Sequence, residues 1–242
     1  MKVPVPDYFA AIKPYEPGKP LEELERELGI QDSIKLASNE NPLGPAPAAL
    51  KAIAAAAANL HRYPDASGYR QTRKIAATLK VVPENIVLGN GSDEIIALLT
   101  RAFLKPGDAA LIPHPSFLMY DIMVRCAGAT PVAIPLNDSL GIDLYRVAAE
   151  VTPRTRMVFL CNPNNPTGTI FTKVEFNRFL DSIPESVLIV VDEAYMEFVR
   201  DPDCARSLDY IPGGCTVATL RTFSKAYGLA GLRVGYGVMT AE

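Results

Sequence analysis

Cysteine and histidine are sparse in this chain of 242 residues. The four cysteines, Cys126, Cys161, Cys204 and Cys215, form no CxxC pair, and the two histidines are His61 and His114. Zinc-type ligand spacing is therefore missing, and a disulfide framework is not expected. Both absences point to a reducing compartment. An excess of basic charge is missing too. Lysine and arginine number 24 against 27 acidic residues, a net charge of −3, with no broad basic stripe. Nucleic acid is excluded as an expected partner. Long apolar runs are missing as well. The most apolar helical stretch, "AALKAIAAAAANL", is short and broken by Lys51, so no membrane span is expected. The first twenty residues, "MKVPVPDYFAAIKPYEPGKP", are too proline-rich and charged for a signal peptide. A cytoplasmic location is the simplest expectation. Neither an internal repeat nor a low-complexity tract is present.

What remains is an ordinary globular composition, 48% hydrophobic and 21% charged. The length suits one large or two small domains, either able to bury a core. Residues 1–47 are proline-rich and read as an extended arm, with a short helix in "LEELERELG" that ends at Gly29. Residues 48–242 then alternate. Strands are expected in "NIVLGNG", "DAALIPHP", "TPVAIPL", "TRMVFLCNP", "SVLIVVDEAY", "CTVATLRTF" and "RVGYGVM". Helices are expected in "SDEIIALLTRAFL", "FLMYDIMVRCAG", "GIDLYRVAAEV" and "KVEFNRFLDSI". This order predicts a three-layer α/β/α fold around a mostly parallel sheet of about seven strands. Such sheets bind ligands at the carboxyl ends of their strands, which is where the polar motifs fall.

Four motifs carry chemistry. In "LGNGSDE" a glycine turn leads into a helix with Ser92 as its expected N-cap, and the free N–H groups there suit a phosphate. A dinucleotide fingerprint fails because Glu94 stands at the third glycine, although Asp108 lies near the acidic spacing. A plain capped helix fits the same residues. "NPNNPTG" is a turn that would present the amides of Asn164 and Asn165 rigidly, or simply a loop. "VLIVVDEAY" ends a core strand with Asp192, Glu193 and Tyr195. A carboxylate there needs a cation, from either a structural ion pair or a ligand's protonated ring nitrogen. Lys225, followed by Gly228, Gly231, Gly235 and Gly237, is either solvated or a nucleophile toward a carbonyl. Together these groups match pyridoxal phosphate, which combines a phosphate, an aldehyde, a phenolate oxygen and a ring nitrogen.

The stretches "PYEPGKPLEELERELG", "LASNENPLGP", "RYPDASGYR", "LGNGSDEII", "NPNNPTG", "VVDEAYMEF" and "RTFSKAYGLAGLRVGYG" span nearly the whole chain. In them the sequence resembles the fold type I, class I/II pyridoxal-phosphate aminotransferases, nearest the histidinol-phosphate branch. The resemblance implies an aspartate-aminotransferase-like large domain and these roles. Lys225 is the Schiff-base lysine. Asp192 pairs with the pyridine nitrogen. Tyr195 and Asn165 bond the phenolic oxygen. Ser224, Arg233 and the N–H groups near Ser92 and Asp93 bind the phosphate. Phe117 stacks on the ring, and Tyr15 lines the substrate. Tyr63 reaches the neighbouring subunit's site, which implies a homodimer. The glycines after Lys225 would let backbone pack beside the cofactor and place a strand carrying Arg233.

The implied reaction passes an amino group from histidinol phosphate to 2-oxoglutarate, so the partners are small amino and keto acids. Relatives of this family run on for roughly a hundred residues or more, a length set by the resemblance. A truncated chain, lacking most of the small domain and weakened in substrate binding, is therefore expected. An aromatic amino acid aminotransferase, a decarboxylase of a phosphorylated amino acid and a non-catalytic cofactor-binding or partner-binding fragment stay open beside it.

Overall fold

The computed structural model describes residues 4–10, 12–15 and 18–241. In chain order the helices are α1 (Asp7–Ala10), α2 (Leu21–Leu28), α3 (Pro47–Ala57), α4 (Tyr69–Leu79), α5 (Ser92–Phe103), α6 (Met119–Cys126), α7 (Leu144–Ala149) and α8 (Lys173–Ser182). The strands are β1 (Ile86–Gly89), β2 (Ala109–His114), β3 (Thr130–Pro135), β4 (Thr155–Cys161), β5 (Leu188–Asp192), β6 (Val217–Thr222) and β7 (Gly235–Val238).

All seven strands join one sheet in the order β1-β7-β6-β5-β4-β2-β3. Neighbours from β6 to β3 pair in parallel, while β7 runs antiparallel to both β1 and β6. The expected mostly parallel α/β/α sheet is therefore present, with one reversed strand. That reversal brings the amino end of β7 to the edge where the other strands end, because Gly235 pairs with both Gly89 and Thr222.

Strand side chains alternate between two cores, as expected of a sheet buried on both faces. Val158 and Leu160 of β4, with Ile189 and Val191 of β5, face Ile75 of α4, Val147 of α7 and Phe176 and Phe179 of α8. Met157 and Phe159 of β4, with Val190 of β5, face Ile95, Ile96 and Leu99 of α5 and Tyr120 and Val124 of α6. No described residue before Ile75 is buried, so the proline-rich arm lies on this core without adding to it. The expected short helix is α2, closed by Gly29 in the left-handed region. α4 was not foreseen; Gly68 precedes it in the left-handed region, and the Asp65 carboxylate accepts from its first N–H, that of Tyr69, at 3.1 Å. Among the described residues no helix is long and apolar enough to cross a membrane.

Candidate active site

The carboxyl ends of β1, β2, β4, β5 and β6 deliver their loops to one cavity of about 260 Å³. It is lined by Ser92 and Asp93 after β1, Phe117 after β2, Asn165 after β4, Asp192 at the end of β5 and Tyr195 just after it, and Ser224 and Lys225 after β6. Arg233 enters from the turn before β7, and Tyr15 from the arm. Tyr63, expected to serve the neighbouring subunit's site, does not line this cavity, and its side chain is fully exposed.

At the closed end sits Asp192, buried, its two oxygens held by neutral donors. The Tyr120 hydroxyl donates to Oδ2 at 2.7 Å and the Ala194 N–H to Oδ1 at 3.0 Å. Among the described residues no cation stands within ion-pair distance of it. Burial pushes its carboxyl up to about 6, against the pull of the Tyr120 and Ala194 hydrogen bonds. The neighbouring Glu193 has a different environment. It accepts from the Ser207 hydroxyl at 2.7 Å and pairs with Arg221 at 3.2 Å. The two readings left open for this acidic pair thus divide between them: Glu193 takes the structural ion pair, and Asp192 keeps a free face toward the cavity.

At the open side, Lys225 is half-buried and donates from Nζ to the Ser38 carbonyl at 2.9 Å. Burial holds its amine below the ordinary lysine range, although Asp93, Asp192 and Glu40 pull the other way. Tyr195 accepts from the Asn39 amide at 3.0 Å, which leaves its own hydroxyl proton free to donate. Burial raises that phenol. Ser38 and Asn39 both hold left-handed backbone, at φ 68° and 51°, the kind of strained conformation that concentrates at binding sites. The arm segment is tied down further by the Asn41 amide, which donates to the Ala226 carbonyl at 3.0 Å. Its closeness to the lysine loop depends on Gly228, where φ is 65° and a Cβ would strike the Gly44 carbonyl.

The third corner is the start of α5. Gly91, at φ 79°, precedes the helix, and Ser92 is its first residue, with no side-chain cap. The expectation that Ser92 caps the helix is corrected: the glycine takes that place because only its backbone reaches this φ without strain. Among the described residues no side chain caps the first N–H groups of α5, and Gly91, Ser92 and Asp93 line the cavity there. The Arg233 guanidinium lies 3.8 Å from Asp93 and 3.5 Å from the Ser224 hydroxyl. Arg233 stands in a left-handed turn at φ 54°, not on a strand as expected. A Cβ at Gly235 would overlap the Ser92 nitrogen and Gly91 carbon, so the close packing expected of the glycines is present there. Gly231 has nothing within 4 Å and plays no such part.

Two further expectations change. Asn164 is buried and spends its amide on the Pro115 carbonyl and the Thr167 hydroxyl at 3.2 and 2.9 Å, so only Asn165 is presented to the cavity. Asp108 caps the Lys105 N–H at 3.0 Å and serves the turn before β2. The sequence reading missed Tyr120, Asn39 and Ser38. "LASNENPLGP" carries part of the family resemblance, but nothing local in it announces the contacts of Ser38 and Asn39.

The family model "Aminotransferase class I and II" matches residues 31–242. The histidinol-phosphate aminotransferase of Moorella thermoacetica is 48% identical over 233 residues, 96% of this chain and 60% of its own length. That of Desulfotalea psychrophila is 47% identical across the whole chain and 64% of its own length. A solved structure of histidinol-phosphate aminotransferase from Sinorhizobium meliloti, in complex with pyridoxal-5'-phosphate, superposes with a TM-score of 0.89 at 30% identity. It covers all of this chain and 64% of the other. The chain thus spans somewhat under two thirds of the length of these relatives. With the family model matched across most of its length and every expected strand in place, the chain belongs to the class I and II aminotransferases.

Proposed function

We propose that the chain holds pyridoxal 5'-phosphate in this cavity with Lys225 as its covalent anchor. The protein then acts as a transaminase of histidine biosynthesis, passing the amino group of histidinol phosphate to 2-oxoglutarate. The products are imidazole-acetol phosphate and glutamate. The observation that carries the cofactor reading is Asp192. A buried carboxylate, with no cation at ion-pair distance among the described residues, shares a cavity with a half-buried lysine and the uncapped start of α5. That donor set suits a molecule with a ring N–H⁺ at one end and a phosphate at another.

Asp192 accepts the ring N–H and keeps it protonated. Tyr195 and Asn165 donate to the phenolic oxygen, Tyr195 with the proton that its bond from Asn39 leaves free. The amides of Ser92 and Asp93, the Ser224 hydroxyl and Arg233 hold the phosphate. Phe117 covers one face of the ring, and Tyr15 lines the side on which substrate enters. When bound, the cofactor supplies an electron-withdrawing ring that acidifies the substrate's α-carbon. The Lys225 amine takes and returns the α-proton, a task suited to an ammonium whose proton is loosened by burial. Tyr63, exposed here, serves the neighbouring copy's site in a homodimer. The protein works in the cytoplasm.

The choice of substrate rests on similarity to relatives named for it along 96% of the chain. It is tested by incubating the purified protein with pyridoxal phosphate, histidinol phosphate and 2-oxoglutarate. Glutamate should form, and Lys225→Ala should stop it. Carbon dioxide in place of glutamate would overturn the transaminase reading in favour of a decarboxylase. Glutamate formed only from an aromatic amino donor would overturn the substrate.

A further inference from the structure

Tyr120 stands behind the carboxylate at the closed end of the cavity. It lies in the first turn of α6, 1% exposed, 72 residues from Asp192 in the chain. Its ring stacks on Phe159 of β4, centroids 4.8 Å apart and planes 9° from parallel. The edge of Phe117 meets it at 5.6 Å and 85°. These contacts leave the ring one orientation, in which the hydroxyl donates to Oδ2 of Asp192. The Ala194 N–H holds Oδ1 from another direction. Together the two donors stop the carboxylate from turning about its own axis. The remaining groups that influence Asp192 are Cys161, Asp93, Tyr195, whose hydroxyl accepts from Asn39, and Lys225. Cys161 donates to the Pro163 carbonyl, Asp93 faces Arg233 and Lys225 donates to Ser38. None of them replaces Tyr120.

Resting on the cofactor reading above, we infer that Tyr120 is a positioning residue: it aims the Asp192 carboxylate at the cofactor's ring nitrogen and sets Phe117 against the ring face. The direction of the shared hydrogen bond is fixed by chemistry. Burial and the Asp192 charge raise the Tyr120 phenol well above its ordinary value, so the proton stays on the tyrosine and the charge on the aspartate. A carboxylate buried at this depth loses its preference for the charged form when one of two donors is removed. A neutral acid there presents a proton to the ring instead of an acceptor.

The test is a cofactor titration, followed by absorbance and equilibrium dialysis, on the wild-type chain, Tyr120→Phe, Asp192→Ala and the double variant. Tyr120→Phe keeps both aromatic contacts and removes only the donor. It should weaken cofactor binding about tenfold, the loss typical of one hydrogen bond to a charged group. On the Asp192→Ala background the same change should move affinity by less than about twofold, because the tyrosine acts through the carboxylate. The visible band of the bound cofactor should also change its pH dependence in Tyr120→Phe alone. Equal losses on both backgrounds would make Tyr120 a merely structural residue and overturn the inference, as would no loss on either. If Tyr120→Phe does not fold, 4-aminophenylalanine at position 120 takes its place. This weaker donor of nearly the same shape should cost about threefold with Asp192 and nothing with alanine, and equal losses would again overturn the role. A wild-type chain that takes up no cofactor would overturn the cofactor reading itself, and with it the role of Tyr120.

Discussion

Nη1 of Arg221 lies 3.2 Å from Oε2 of Glu193, both side chains buried, and the same guanidinium bonds Glu197 through Nη2. One residue of β6 thus ties the segment carrying Asp192 and Tyr195 to the strand that leads into Lys225. Breaking such a pair leaves the uncompensated Glu193 carboxylate inside the protein, which costs about 3–5 kcal/mol. Arg221→Ala should therefore destabilise the chain by that amount in urea unfolding. Adding Glu193→Gln should restore part of it, since the stranded charge is then gone.

Asp192 predicts the opposite sign. Its folded carboxyl lies near 6, above its ordinary value of 3.8. The native state therefore holds a proton that the unfolded chain has lost, and stability falls as pH rises from about 4 to about 6. Asparagine mimics the protonated acid. Without cofactor, Asp192→Asn should melt with the wild type at pH 4 and be more stable at pH 8, by a few kcal/mol at most. With pyridoxal phosphate present the order should reverse at pH 8, because only the carboxylate meets the ring nitrogen. Paired thermal melts at the two pH values check both halves.

The glycines after Lys225 separate by what surrounds them. Gly235→Ala places a methyl against the backbone of Gly91 and Ser92, where neither strand nor helix can move without cost. It should lose about 1–3 kcal/mol, the usual range for overpacking, and should also weaken cofactor binding by displacing the start of α5. Gly231→Ala meets nothing within 4 Å and should melt within about 0.5 kcal/mol of the wild type.

Much of this was legible in the chain. The β-branched run Leu188–Val191 ends in a carboxylate, and the strand, the burial and the position of Asp192 all follow from that pattern. The same holds for the helix of α5, whose apolar stripe Ile95, Ile96 and Leu99 faces the core. What was not legible is pairing across distance. Asn39 meets Tyr195 over 156 residues and Tyr120 meets Asp192 over 72. No local periodicity encodes either contact: the second needs the sheet order that sets β2, β4 and β5 side by side, and the first needs the N-terminal arm laid across the ends of those strands. Backbone detail was lost for a related reason. Ser92 has the composition of a cap, but the left-handed φ of Gly91 sets the helix start one residue earlier. Arg233 lies off the strand because β7 begins only where Gly235 can pair with Gly89 and Thr222.

The most direct measurement is chemical. The protein is mixed with pyridoxal phosphate, reduced with borohydride, digested and mapped by mass spectrometry. A single phosphopyridoxyl group on Lys225, lost in Lys225→Ala and weakened in Asp192→Ala, is the predicted result. A label spread over surface lysines, with Lys225 unmodified, would contradict the account at its centre.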